Sequence, residues 1–265
     1  MYRHSLITFV DILGFRSLIS SSEFEGVSEK LAAVTRFSGA SEEPGEDEFA
    51  PKVIQFSDSI IRIRPLDDTP PYGALFHELL DLIHMQGELV QHGVCMRGGI
   101  AVGDVHFEDH TAYGPGFVRA YEIESTFANF PRIVVDPAVL ASLIDDERLR
   151  ADHNRLEDEI DSVKKLLRRD SDGLYFVDYL SVFLGELDHV SFEPTFIIAH
   201  KNLILGGLRD VESLTSVSAK YLWLANYHNN FVRRLSKKWL RGNGLQLADV
   251  EIQSSEMPLN FEWPE

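Results

Sequence analysis

The sequence is short of cysteine: Cys95 is the only one among 265 residues. An internal disulfide is excluded, and a reducing, cytoplasmic setting is the expectation. Basic residues are also scarce. Lys and Arg number 25 against 42 Asp and Glu, giving a formal charge of −17. That balance argues against a nonspecific nucleic-acid or membrane-surface binder, because such proteins present a basic face. No apolar run reaches the ~18 residues needed to cross a bilayer. The opening MYRHSLITFVD runs into an acidic residue with no small-residue cleavage site, so it reads as a strand rather than a signal peptide. Repeats and low-complexity tracts are missing. His77, His84, His92, His106 and His110 share no metal-ligand spacing and read as helix-surface or loop residues.

What is present suffices for a large core: 44% of the residues are hydrophobic, in one large domain or a compact domain with an appendage. HSLITFVD reads as a buried strand, and the following residues to Gly39 carry apolar positions at helical intervals. ASEEPGEDEFAP reads as a solvated acidic loop. KVIQF and SIIRIRP are β-branched runs separated by Ser57-Asp58, which predicts a hairpin. YGALFHELLDLIHMQGELVQHG is an amphipathic helix. VCMRGGIAVGDVHFED reads as a strand, a turn and a returning strand, YGPGFVRAYEIESTFA as a helix with a Gly-Pro entry, PRIVVD as a strand and PAVLASLI as a short helix. The order is β-α-β-β-α-β with additions, the ferredoxin-like pattern. Residues 1–145 form the expected catalytic core. Residues 146–265 comprise a charge-dense excursion, a further strand in GLYFVDYL, and C-terminal helices packed on the core.

Three features bear on chemistry. Asp11 ends the first strand, and Asp58 sits at the hairpin tip beside it. Carboxylates that close repel, so one pKa rises unless hard divalent cations such as Mg²⁺ or Mn²⁺ settle between them. After Asp11, residues Ile12, Leu13, Gly14 and Phe15 lead into a helix whose first amides lack intrahelical partners, an arrangement suited to an anion. Arg97 lies inside an apolar strand, where its charge needs a partner, and a guanidinium there suits a phosphate. Taken singly, Asp11 reads equally as a helix cap, Asp58 as a turn residue and Arg97 as the partner of a core carboxylate.

FVDILGFRSLI, KVIQFSDSIIRI and MRGGIAVGDV…YGPGFVRAYEIES resemble, in order, the three motif blocks of class III nucleotidyl cyclases, over about residues 4 to 140. The resemblance implies an α+β, ferredoxin-like cyclase domain with a mainly antiparallel sheet, working as a homodimer with sites at the interface. It implies two divalent cations on Asp11, Asp58 and the Ile12 carbonyl, with Arg97 and the amides of Leu13, Gly14 and Phe15 on the triphosphate. The chain departs from the family where purines are read, and again on the helix that usually carries the transition-state cation. Ile54 replaces a lysine or glutamate, Thr111 stands near the usual aspartate or cysteine, and Val118 and Glu122 occupy the usual asparagine and arginine positions, with Arg119 one place out of register. The compact motif style and the KYLWLANYHNN segment resemble the bacterial Pycsar pyrimidine cyclases of antiphage defence. By that resemblance, UTP is converted to cyclic UMP and Ile54, Phe56 and Thr111 line a smaller base pocket. Cyclic CMP from CTP, a catalytically silent nucleotide-binding or dimerisation module, and C-terminal helices serving as an interaction surface are the alternatives.

Overall fold

The computed structural model describes residues 1–21, 23–39, 50–67, 71–108, 111–186, 193–209 and 215–257. The acidic loop expected at 40–51 falls almost wholly outside the described residues, as does His110.

Strand β1 (Arg3–Ile12) leads through α1 (Phe15–Ser21) and α2 (Phe24–Phe37) to the hairpin β2 (Lys52–Phe56) and β3 (Ser59–Pro65). Helix α3 (Ala74–Gln91) then feeds β4 (Met96–Glu108). These strands lie in the order β2-β3-β1-β4, every neighbouring pair antiparallel, which is the expected ferredoxin-like arrangement. After β5 (Thr111–Tyr113) and α4 (Pro115–Glu122), a π turn at Ile123–Phe127 leads to β6 (Ile133–Val135). β6 joins β4 in parallel and is the exception to the antiparallel pattern. α5 (Pro137–Asp145) and α6 (Leu156–Lys165) precede a second hairpin, β7 (Leu167–Arg169) and β8 (Tyr175–Val177), which extends the sheet beyond β6. Helices α7 (Tyr179–Glu186), α8 (Glu193–Leu208), α9 (Ser216–Val232), α10 (Lys237–Gly242) and α11 (Leu247–Val250) follow. No helix among the described residues is long and apolar enough to cross a membrane.

The two faces of β1 carry different cores, because successive side chains alternate. Leu6, Val10 and Ile12 join the larger cluster with α2, α3 and the C-terminal helices. Ile7 and Phe9 join a smaller one with Ala101, Val105, Ala120 and Ile123, on the face that α4 covers. Under the larger face, Thr8 Oγ1 donates to Glu78 at 2.8 Å and Arg62 and Arg64 both bind Glu78. Burial alone would push the Glu78 carboxyl up, yet the two guanidinium groups hold it down to about 2. A buried carboxylate paired this fully fastens α3 to β3.

Four expectations need correction. The stretch from Val94 to Asp109 was expected to turn back on itself, but β4 runs unbroken for 13 residues. Its ladder with β1 continues from Ile12–Met96 to Arg3–Val105, and that pairing overrides the local Gly103-Asp104 turn signal; the returning strand is β5. His106 consequently sits on β4, neither on a helix nor in a loop. The strand in GLYFVDYL stops at Val177, and Tyr179 already begins α7. Within the charged excursion, Leu167–Arg169 forms β7, whose three pairs with β8 outweigh its basic composition.

Candidate active site

The antiparallel register sets Asp11 opposite Ser59 on one side and opposite Arg97 on the other. Asp11 follows Ile7 and Phe9 in alternation, so it points to the α4 face. The hairpin tip is drawn to the end of β1 by a backbone bond from the Ile12 amide to the Asp58 carbonyl, 3.1 Å. Ser57 adopts φ +57° there, a conformation uncommon for a residue with a side chain. The tip therefore places the Asp58 carboxyl within hydrogen-bonding reach of Asp11. Burial, then the Asp58 and Glu124 charges, push the Asp11 carboxyl up to about 6, with Arg97 opposing. Two carboxylates this close oppose each other's ionisation, which is the conflict expected of an acidic pair.

Arg97 is bound on both sides. Its Nη2 lies 2.6 Å from Glu124 Oε1 and 3.4 Å from Asp11 Oδ2. The contact with Glu124 is close but poorly aligned, an ion pair rather than a directed hydrogen bond, since Oε1 accepts no well-aligned donor. Burial raises the Glu124 carboxyl above its usual range, and Arg97 pulls the other way. Glu124 reaches the sheet because the π turn follows α4 directly and Gly99 lets it approach. A Cβ at Gly99 would lie 2.6 Å from both Ala120 O and Ile123 Cβ. Sequence reasoning missed Glu124; the available signal was an acidic residue embedded in the apolar end of a helix.

The turn after Asp11 is partly committed. Leu13 donates its amide to the Cys95 carbonyl at 2.8 Å, so that amide is engaged rather than open to a phosphate as expected. Gly14, at φ +75°, has open space where a Cβ would stand. Cys95 itself is buried, and burial pushes its thiol up to about 12. It remains protonated and is no nucleophile.

The expected base-pocket residues are scattered. Phe56 is exposed at the hairpin tip near Asp58, whereas Ile54 is buried. Gln55 accepts from Thr35 of α2, so by alternation Ile54 and Phe56 lie on the opposite, α4-bearing face. Thr111 begins β5 opposite Glu108, at the far end of β4 and roughly 35 Å along the strand from Arg97. Arg119 Nε donates to Asp136 at 2.6 Å, well engaged in its own chain.

Among the described residues no group of three or more His, Cys, Asp or Glu side chains is arranged round a common point for a metal ion. The Asp11–Asp58 pair nevertheless has the donor chemistry for hard divalent cations: two converging carboxylates whose mutual repulsion a cation would relieve.

No protein-family model matches the chain, and no curated protein matches it. Solved structures do. A bacterial light-regulated adenylyl cyclase is 17% identical at a TM-score of 0.40, over 53% of this chain and 45% of that one. The guanylyl cyclase Cya2 is 16% identical at 0.45, over 67% of this chain and 93% of its own. The catalytic core of a rhodopsin-guanylyl cyclase with converted specificity, in complex with ATPαS, is 12% identical at 0.39, over 67% and 97%. This chain thus spans under half the length of the light-regulated enzyme.

Proposed function

We propose that the chain is a nucleotidyl cyclase acting on a pyrimidine nucleoside triphosphate, UTP in the first instance. The observation that carries this reading is the Asp11 carboxyl held against Asp58, pushed up to about 6, with Arg97 alongside. An acidic pair beside a guanidinium, in a chain of net charge −17, suits a polyphosphate brought in with cations. Asp11, Asp58 and the Ile12 carbonyl would hold two divalent cations, Mg²⁺ or Mn²⁺, which supply charge neutralisation and activation of a hydroxyl. In the reaction, the O3′–Pα bond forms as the bond from Pα to the bridging oxygen breaks. The hydroxyl proton passes to solvent, and pyrophosphate leaves. Arg97 binds the phosphates, Glu124 orients Arg97, and the turn at Gly14 and Phe15 lets the phosphates approach the backbone.

Support for a pyrimidine comes from the apolar Ile54, at the place where the purine cyclases this chain resembles carry lysine or glutamate, with Phe56 on the same face of the sheet. A homodimer is favoured by the distance of Thr111 from Asp11 within one chain, since a second copy can bring the far end of β4 to the first site. Val118, Tyr121 and Phe127 are exposed on and just after α4, apolar surface suited to such a contact. Cyclic UMP made in the cytoplasm would be a second messenger in antiphage defence. One observation favours the silent module instead: Arg97 is already occupied by Glu124 and Asp11.

The test is turnover of ATP, GTP, CTP and UTP in turn, with Mn²⁺ or Mg²⁺, products being resolved by chromatography and mass. Cyclic UMP from the wild type and none from Asp58→Asn is the expected result. Cyclic CMP would change the base. Triphosphate binding without pyrophosphate release from any nucleotide would replace the enzyme with the silent module.

A further inference from the structure

Helix α9 lies more than 70 residues beyond the ferredoxin-like unit, yet it brings a charge to the site. Several contacts hold it in place. A capping box between Thr215 and Ser218 starts it. Trp223 stacks on Phe130 with ring centroids 5.6 Å apart and planes 7° from parallel, and its Nε1 donates to Asp170 at 2.9 Å. Tyr227 donates to Asp178 at 2.6 Å. Phe130 belongs to the short connection between Glu124's π turn and β6, so the stack ties α9 to the segment that positions Glu124.

Lys220 sits one turn before Trp223, on the same side of α9. Arg97, Asp11 and Glu124 all act on its charge, and its ammonium is partly buried. Among the described residues it has no hydrogen-bonding or ion-pairing partner. Arg97, by contrast, is held by two carboxylates. Burial and Arg97 oppose the Lys220 charge while Asp11 and Glu124 favour it, and an ammonium that touches none of these carboxylates keeps its donors free for a further anion.

The charge balance identifies that anion. Asp11, Asp58 and Glu124 against Arg97 and Lys220 leave the cluster one negative charge from neutral. Two divalent cations turn this into a surplus of three positive charges, close to the charge of a nucleoside triphosphate; without Lys220 the surplus is two.

We infer that Lys220 is a phosphate-binding residue of this site, carried to the substrate's polyphosphate by the C-terminal helix of the same chain that supplies Asp11 and Asp58. The inference rests on the reading of the site as a triphosphate site. On this account the C-terminal helices complete the site besides burying the sheet.

Two measurements on the full chain test it: calorimetric binding of inorganic tripolyphosphate with Mn²⁺, and KM and kcat for the triphosphate that is turned over. Lys220→Gln should weaken tripolyphosphate binding about tenfold, the value of one charge-assisted hydrogen bond. It should raise KM in step while kcat stays within about threefold, and leave the melting curve in place. Lys220→Arg should recover most of the affinity. Lys238→Gln, on exposed α10, removes the same charge from the chain and should change neither quantity. Equal tripolyphosphate binding by wild type and Lys220→Gln, or an equal loss in Lys238→Gln, overturns the inference and leaves the reading of the site intact. A wild type that neither binds tripolyphosphate nor turns over any triphosphate overturns the reading of the site, and the inference with it.

Discussion

Arg97 Nη2 and Glu124 Oε1 meet at 2.6 Å, joining the start of β4 to the π turn that follows α4. This contact decides how Arg97 is presented. Without Glu124, the nearest anion is Asp11 at 3.4 Å, and the guanidinium would swing onto the carboxylate assigned to a cation.

Glu124→Gln is therefore expected to cut turnover by about tenfold through misplacement of a charge-assisted phosphate contact. The fold should survive, because glutamine fills the same volume. Arg97→Lys should be at least as damaging, since an ammonium cannot span the same two partners. Steady-state kinetics alongside circular dichroism checks both. Full activity in Glu124→Gln would show that the substrate alone orients Arg97.

Two glycines near the site predict opposite kinds of failure. Gly99→Ala sets a Cβ 2.6 Å from the Ala120 carbonyl and Ile123, so α4 and the π turn must lift from the sheet. Overpacking of this kind costs about 1–3 kcal/mol, and the displaced Glu124 should take activity with it. Gly14→Ala meets open space but must hold φ +75°, a backbone cost of about 1 kcal/mol. Urea unfolding of the two variants should show the larger loss in Gly99→Ala.

How much of this was legible in the sequence follows from which forces are local. The β2–β3 hairpin, the long α3 helix and the approach of Asp11 to Asp58 were readable, because β-branched runs, helical periodicity and a two-residue turn are encoded within a few positions. The continuity of β4 was not, since its ladder with β1 joins residues such as Arg3 and Val105. Glu124 was hidden by the π turn, which shifts side-chain direction away from the 3.6-residue period. Lys220 was hidden by distance along the chain. The engagement of Leu13 with the Cys95 carbonyl is likewise a long-range bond that no local pattern announces.

The C-terminal helices contain a pH-sensitive chain of hydrogen bonds. His228 Nε2 lies 2.8 Å from the Val250 carbonyl and so donates to it, which leaves its Nδ1 to accept from His200 Nδ1 at 2.9 Å. His200 Nε2 then accepts from the Tyr179 hydroxyl at 2.7 Å. Both rings must be neutral. Burial holds His200 well below its usual value, with His228 adding to the effect, and burial lowers His228 to about 4. The unfolded chain takes up these protons near pH 6.5 and the folded chain does not. Stability is therefore complete above that pH and declines as pH falls toward 4, by about 3 kcal/mol for His228. Denaturant midpoints at pH 7, 5.5 and 4 should show the decline, and His228→Gln should make it shallower while His200 still contributes. An unchanged slope in that variant would assign the acid sensitivity to other groups.

Arg132 anchors the same helices to the sheet. It is 1% exposed, binds Asp170 and Asp172, and lies over the rings of Phe130, Phe176 and Trp223. Asp170 in turn accepts from Trp223 Nε1, so one guanidinium holds together the β7–β8 turn, the segment after Glu124 and helix α9. Arg132→Met keeps the apolar contact with the rings but strands two carboxylates without their cation, a loss of about 3 kcal/mol or more. Arg132→Lys should fall between, keeping the charge but not the fork that reaches both aspartates. Hydrogen exchange should rise along α9 in Arg132→Met more than in β1 or β3, because the broken anchor lies on that side. Exchange rising equally across the sheet would mean that α9 and the sheet unfold as one unit, and that Arg132 stabilises the whole rather than anchoring one helix.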